Sequence, residues 1–248
     1  MYIDSHCHIN DESFVADLPA VLQRMLEADV RKACLVAVSL DDYRRSLAIA
    51  QEGLQFKRAI GVFPEYTAMS EAEFAQYVAY METADAIGEI GLDYYWYKDT
   101  KEEQKKLFIR QIELANKLNK PVIIHSRDAL QDTYDILKAH PCKAVLHCYS
   151  SSSEMAKAFL KLGCYISIGG PVTFKNAREP KEVVKAVPLN RLLIETDSPY
   201  LTPHPFRGTR NEPCRVVLTA KQICALAGYD ESEFQQAIEK NYDDFFGR

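Results

Sequence analysis

Eight short apolar runs, each followed by a stretch of helical periodicity, constrain this chain more than any other feature. The runs are expected as strands over residues 2–9, 32–39, 58–64, 86–94, 121–128, 143–150, 165–172 and 191–199. Most are continuous in Val, Ile, Leu and Ala rather than alternating, as in parallel strands covered on both faces. Helices are expected over 17–28, 41–52, 70–81, 100–118, 130–139, 153–162 and 180–186, with two more, 214–227 and 231–246, covering the outside. The third of these opens on Ser70 with Glu73 three residues on, a capping box. The alternation makes the chain α/β. An open doubly wound sheet fits it too, but the strand count and the polar residues grouped at strand ends favour a closed (β/α)8 TIM barrel. Residues 1–248 are expected to form a single domain, a length typical of that barrel at roughly 250 residues.

Composition narrows the class. At 47% apolar residues the chain can bury a large core, yet no stretch approaches the ~20 apolar residues of a membrane span. No basic segment followed by an apolar one opens the sequence, so no secretory signal is expected. The seven cysteines are scattered, with no C-x-x-C spacing, which suits reduced thiols and a cytoplasmic location. A net charge of −5 argues against broad electrostatic capture of nucleic acid, though not against a local basic rim. Neither a membrane nor an obligate protein partner is indicated.

Metal-ligand residue types sit where the apolar runs end. The first run carries Asp4-Ser5-His6-Cys7-His8, in which alternation turns Asp4, His6 and His8 to one face. Two imidazoles on one face can reach one divalent ion, and Asp4 is positioned to accept a spare ring N–H. Later runs carry Glu89 and Asp93, His125 and Arg127, His147, and finally Asp197. Charge beside apolar runs costs several kcal/mol unless compensated, so such placements at one end of a barrel define a site at its C-terminal mouth. His6, His8, Glu89, His125, His147 and Asp197 supply four imidazoles and two carboxylates. That is enough for two divalent ions with one carboxylate between them.

The segments Asp4-Ser5-His6-Cys7-His8, Gly88-Glu89-Ile90-Gly91-Leu92-Asp93-Tyr94, Ile124-His125-Ser126-Arg127, His147-Cys148-Tyr149-Ser150 and Glu195-Thr196-Asp197-Ser198-Pro199 resemble the TatD family of metal-dependent hydrolases and deoxyribonucleases, within the amidohydrolase-like barrels. Tyr200 through Pro203 and Arg207 through Pro213 are similar to the family's stretch after the last strand. The resemblance spans nearly the whole chain. It implies that His6 and His8 hold one metal with Asp197, that Glu89 bridges, and that His125 and His147 hold the second. It also implies hydrolysis of phosphodiester bonds in DNA, stepwise from a 3′ end, with Asp197 taking the proton of the attacking water and Glu89 beside it. Zinc, manganese, nickel or magnesium are the ions expected, magnesium accepting nitrogen least readily. One motif departs: the family's Gly-x-His-Pro-His is here Gly61-Val62-Phe63-Pro64-Glu65, and Glu65 opposes a phosphate.

Substrate contacts are expected from Arg207, Arg127 and Tyr94. Arg207 lies in the loop after the last strand, where barrels often bind phosphate. Arg127 shares a face with His125 and suits either a phosphate or a nearby carboxylate. Tyr94 opens an aromatic stretch, Tyr94 to Tyr97, that either stacks on bases or packs on the rim. DNA or a small phosphoester is the expected partner. The rivals are a hydrolase of a small ester, amide or phosphomonoester on the same frame, and a metal- or nucleic-acid-binding protein without turnover.

Overall fold

The apolar runs do become strands, in a computed structural model that describes residues 1–247. In chain order the elements are β1 (Tyr2–Cys7), α1 (Leu18–Glu27), β2 (Val30–Ala37), α2 (Leu40–Ala48), β3 (Gln55–Ile60), α3 (Glu71–Met81), β4 (Ile87–Asp93) and α4 (Lys101–Leu118). There follow β5 (Val122–Arg127), α5 (Leu130–Ala139), β6 (Ala144–Leu146), α6 (Ser153–Lys161), β7 (Tyr165–Ile168), α7 (Glu179–Ala186), β8 (Leu192–Ile194), α8 (Val216–Ala227) and α9 (Glu231–Phe246). The capping box at the head of α3 is present, with Ser70 N–H donating to Glu73 Oε2 at 2.8 Å and Glu73 N–H to Ser70 Oγ at 3.3 Å.

All strand pairs are parallel and run in sequence order, β1 to β3 and β4 to β8. Two seams close the barrel. A parallel bridge pairs Ala59 with Ala86 between β3 and β4. Past the end of β8, Asp197 N–H donates to His6 O at 3.0 Å and His8 N–H to Ser198 O at 2.8 Å. Fully buried aliphatic residues of the strands, such as Ile3, Leu35, Ile60, Ile90, Ile124 and Leu193, belong to one continuous core. Phe108 of α4, Phe159 of α6 and Phe234 and Phe245 of α9 are fully buried in the same core.

Several strands end earlier than the apolar pattern predicts. β1 stops at Cys7 rather than residue 9, β3 at Ile60 rather than 64, β6 at Leu146 rather than 150, and β8 at Ile194 rather than 199. The polar residues at these ends splay into the mouth, and the chain turns there: Cys148 and Asp197 take φ of +43° and +55°. Ladder-like bonds nonetheless continue beyond the regular strands, with His147 N–H donating to Ile124 O at 3.1 Å and Glu195 N–H to Ile168 O at 3.1 Å. The helix expected to Glu52 stops at Ala48, and β2 and β3 begin at Val30 and Gln55, ahead of the predicted residues 32 and 58.

Gly91 shows how tightly the sheet is drawn at the site. It pairs with His125 across β4 and β5, has φ of +140°, and a Cβ there would lie 2.0 Å from the His125 carbonyl oxygen. Only glycine allows that approach. Gly91→Ala is therefore expected to destabilise the fold by more than ~2 kcal/mol in denaturant melts. Gly163→Ala, also at positive φ (+85°) but with nothing near the added methyl, is expected to cost markedly less.

Candidate metal centre

Four imidazoles converge on one buried carboxylate at the C-terminal mouth. Glu89 Oε1 lies 2.8 Å from His6 Nε2 and 3.1 Å from His8 Nε2. Its other oxygen, Oε2, lies 3.6 Å from His125 Nδ1 and 3.5 Å from His147 Nε2. Asp197 Oδ1 stands 3.4 Å from His8 Nε2 and 3.7 Å from His6 Nε2. One ligand atom from each of His6, Glu89, His147 and Asp197 falls within 4.8 Å of the others. His6 and His147 stack with ring centroids 4.2 Å apart.

The donor set fits a divalent cation better than it fits a proton network. His6 Nε2 and His8 Nε2 face each other at 3.1 Å, and His125 Nδ1 and His147 Nε2 at 3.3 Å. A proton between two such nitrogens serves one donor at a time, whereas a cation accepts both lone pairs. The outward ring nitrogens are arranged to match. His8 Nδ1 lies 3.0 Å from Val36 O, His125 Nε2 lies 3.0 Å from Asp93 Oδ2, and His147 Nδ1 lies 3.4 Å from Glu195 Oε1. Donation outward by His8 and His125 leaves their inward lone pairs for the centre. His6 and His147 differ: the buried Nδ1 of each has no hydrogen-bond partner among the described residues, and Glu195 approaches His147 Nδ1 only at the 3.4 Å of an ion pair.

The electrostatics follow from this crowding. Burial penalises the Glu89 carboxylate, but the His147 and His6 imidazoles outweigh it and hold its pKa well below the usual range. Burial likewise opposes ionised Asp197, while the bond to His8 and the charges of His147 and His6 hold its pKa down. Burial alone lowers His147, yet Glu89 and Glu195 bring it up to about 9. His8 is raised well above its ordinary value against the same burial, by Asp197 and Glu89.

Sequence reasoning located the six clustered side chains and misread some of their neighbours. Asp4 does not reach a ring N–H. Its carboxylate accepts the backbone N–H of Thr196 at 2.9 Å and of His6 at 3.2 Å, tying β1 to the end of β8. Asp93 fills both alternatives weighed for it: Oδ2 meets His125, and Oδ1 accepts from Tyr95 N–H at 3.0 Å and Trp96 N–H at 2.9 Å, capping the turn. Tyr94 turns away from the cavity, its hydroxyl donating to Asp132 at 2.7 Å. Arg207 is exposed outside the cavity lining, with its guanidinium 4.2 Å from the Phe174 ring centroid. Arg210 is spent on Asp17, at 2.6 and 2.8 Å.

Glu195 went unnoticed as a partner of His147; it is fully buried, and its position two residues before Asp197 on one alternation was the available signal. The cavity above the imidazoles measures about 510 Å³. Phe63, Glu65, Trp96, Arg127 and Tyr200 are among its lining residues. Phe63 lies against His125, ring centroids 4.9 Å apart. The Arg127 guanidinium sits over Tyr95 at 4.2 Å and Trp96 at 5.5 Å, with no carboxylate partner among the described residues.

Comparison with known proteins places this centre in a wider group. The family model described as TatD related DNase matches residues 3–247. The chain is 42% identical over 247 residues to the uncharacterized metal-dependent hydrolase YabD of Bacillus subtilis (strain 168), covering 97% of each. It is 39% identical over 251 residues to the uncharacterized metal-dependent hydrolase YcfH of Escherichia coli (strain K12), covering 98% of this chain and 95% of that one. The crystal structure of YjjV, a TatD homologue from Escherichia coli K12, superposes with a TM-score of 0.93 at 31% identity, over 100% of this chain and 98% of the other.

Cation binding is expected to release protons. With the His147 pKa raised to about 9, the metal-free centre holds that proton at neutral pH, and a cation at its Nε2 must expel it. Affinity should therefore fall as pH drops below about 9. Calorimetric zinc titrations at pH 7 in buffers of different ionisation enthalpy check this; heats independent of buffer would contradict it.

Proposed function

The chain belongs to the TatD family of metal-dependent hydrolases, and on that premise we propose that it cleaves phosphodiester bonds of DNA, stepwise from a 3′ end, using two divalent cations. The observation that carries this reading is the division of Glu89: one oxygen faces His6 and His8, the other faces His125 and His147. His6, His8 and Asp197 would hold one cation and His125 and His147 the other, with Glu89 shared. The mixed nitrogen and oxygen set suits zinc, manganese or nickel more than magnesium. Bound cations supply Lewis acidity, which acidifies a water and offsets charge on the phosphate oxygens.

The chain's own groups do the rest. Asp197, its pKa held down by the neighbouring imidazoles, is a carboxylate at neutral pH and accepts the proton of the attacking water. Asp93 fixes the His125 ring, and Glu195 faces His147 from behind. Arg127, held over two aromatic planes and free of carboxylates among the described residues, offers its guanidinium to a phosphate. Trp96, 63% exposed beside it, offers a face to a terminal base.

A second reading has its own observation. Asp11, Asp42 and Glu65 also line the cavity, and their charge opposes a polyanion. That favours a small ester, amide or phosphomonoester. Turnover of metal-loaded protein on 5′-labelled single-stranded DNA, beside a panel of small esters, separates the two. A ladder of shortened strands is expected; strong turnover of a non-phosphate ester with none of DNA would reverse the order.

Two variants sharpen the test. Asp197→Asn retains the shape and an oxygen ligand but not the base, so kcat is expected to fall on the order of 10²-fold with at least one cation still bound. Arg127→Ala is expected to raise KM for DNA and flatten its salt dependence, leaving kcat nearly unchanged.

A further inference from the structure

The loop after β8 was expected to grip a phosphate through arginine, yet it also embeds an uncharged amide, Asn211. It is fully buried, and every polar group of its amide is used. Nδ2 donates to Thr196 O at 2.9 Å and to Tyr200 O at 2.7 Å, while Oδ1 accepts Glu212 N–H at 2.9 Å. Its backbone N–H donates to Pro199 O at 3.0 Å. The two carbonyls taken by Nδ2 bracket Asp197 in sequence.

Asp197 needs such support. Its φ of +55° is disfavoured for a residue with a Cβ, so the backbone holds this conformation only where its surroundings impose it. On the barrel side, Asp4 holds Thr196 N–H and His6 O holds Asp197 N–H. On the loop side, Tyr200 N–H closes on Asp197 O at 2.9 Å and Asn211 spans the same turn. Asn211 is anchored in turn: the neighbouring Glu212 carboxylate takes the Arg24 guanidinium of α1 at 2.6 and 3.0 Å. An amide with two N–H groups suits this position, because two buried carbonyls need two donors.

We infer that Asn211 is a positioning residue for Asp197: its amide clamps the left-handed turn so that the Asp197 carboxylate stands by the His6 and His8 ring nitrogens, where it would share a cation with them. The inference rests on the reading of Asp197 as proton acceptor and ligand. Serine at 211 offers one donor at most, and aspartate turns an oxygen toward the carbonyls.

The test uses Asn211→Ser and Asn211→Asp, each in the wild-type and the Asp197→Asn background, with Thr209→Ala as a control in the same loop, because Thr209 Oγ1 donates to Phe206 O and accepts from Arg215 and bonds neither Asn211 nor Glu212. Three quantities are measured on each: the thermal melt, zinc affinity of the apo protein by calorimetry, and kcat and KM on single-stranded DNA and on bis(4-nitrophenyl) phosphate. In folded Asn211→Ser, kcat should fall about 10- to 100-fold with KM within about twofold, and one zinc-binding step should weaken about tenfold. With Asp197→Asn already present, the same change should alter kcat by less than about twofold, since the clamp then has no base to position. Thr209→Ala should leave kcat and zinc binding as they were. Full kcat and zinc affinity in Asn211→Ser, equal losses in both backgrounds, or an equal loss in Thr209→Ala would each overturn the clamp. Asn211→Asp, the same size as asparagine, is judged on the same criteria if the serine variant does not fold. Failure of the underlying reading is distinct: Asp197→Asn with wild-type kcat refutes Asp197 as the base, while the zinc titrations still report on Asn211.

Discussion

A single buried carboxylate surrounded by four imidazoles governs this structure. Glu89 is only 4% exposed, and removing its charge from water costs on the order of several kcal/mol. The cost is offset by ring nitrogens on both of its oxygens, supplied by β1 or the residue after it, by β5, and by the residue after β6. None of these side chains can move far without leaving another uncompensated. The arrangement demands that strands distant in sequence end at the same height, which a barrel of parallel strands provides.

The barrel's closing seam passes through the same group of residues. β8 and β1 are joined by backbone bonds from Asp197 to His6 and from His8 to Ser198, so closure and ligand placement are one geometric event. Asp4, its pKa raised to about 8 chiefly by burial, holds Thr196 in this seam and serves the architecture rather than a ring nitrogen. Behind the imidazoles, Val36 O, Asp93 and Glu195 each face an outward nitrogen. This outer layer draws on three different strands or strand ends, which restrains the rings independently.

Above the centre the cavity is of mixed character. Arg127 over Tyr95 and Trp96 presents a cation and aromatic faces, while Asp11, Asp42 and Glu65 bring negative charge to the same space. Phe63 sets an apolar ring against His125. Substrate choice at such a site would be a contest between these groups and the cations that the imidazoles below would hold, and Phe63 and Glu65 weigh on that contest.

The sequence alone determined the barrel and the six clustered residues. Both are written in local pattern: continuous apolar runs mark strands covered on both faces, and a His, Asp or Glu at the end of such a run has few explanations besides a site. Asp93 was legible for a similar reason, since alternation puts it on the face of Glu89. What only the tertiary structure decided depends on strand register and on where each chain turns. It turned Tyr94 onto Asp132 and Arg207 onto Phe174, away from the cavity, because loop side chains follow their nearest partners and carry no periodic signal. It brought Glu195 behind His147, and Asn211 beneath the turn of Asp197, across separations that no spacing rule in the sequence spans.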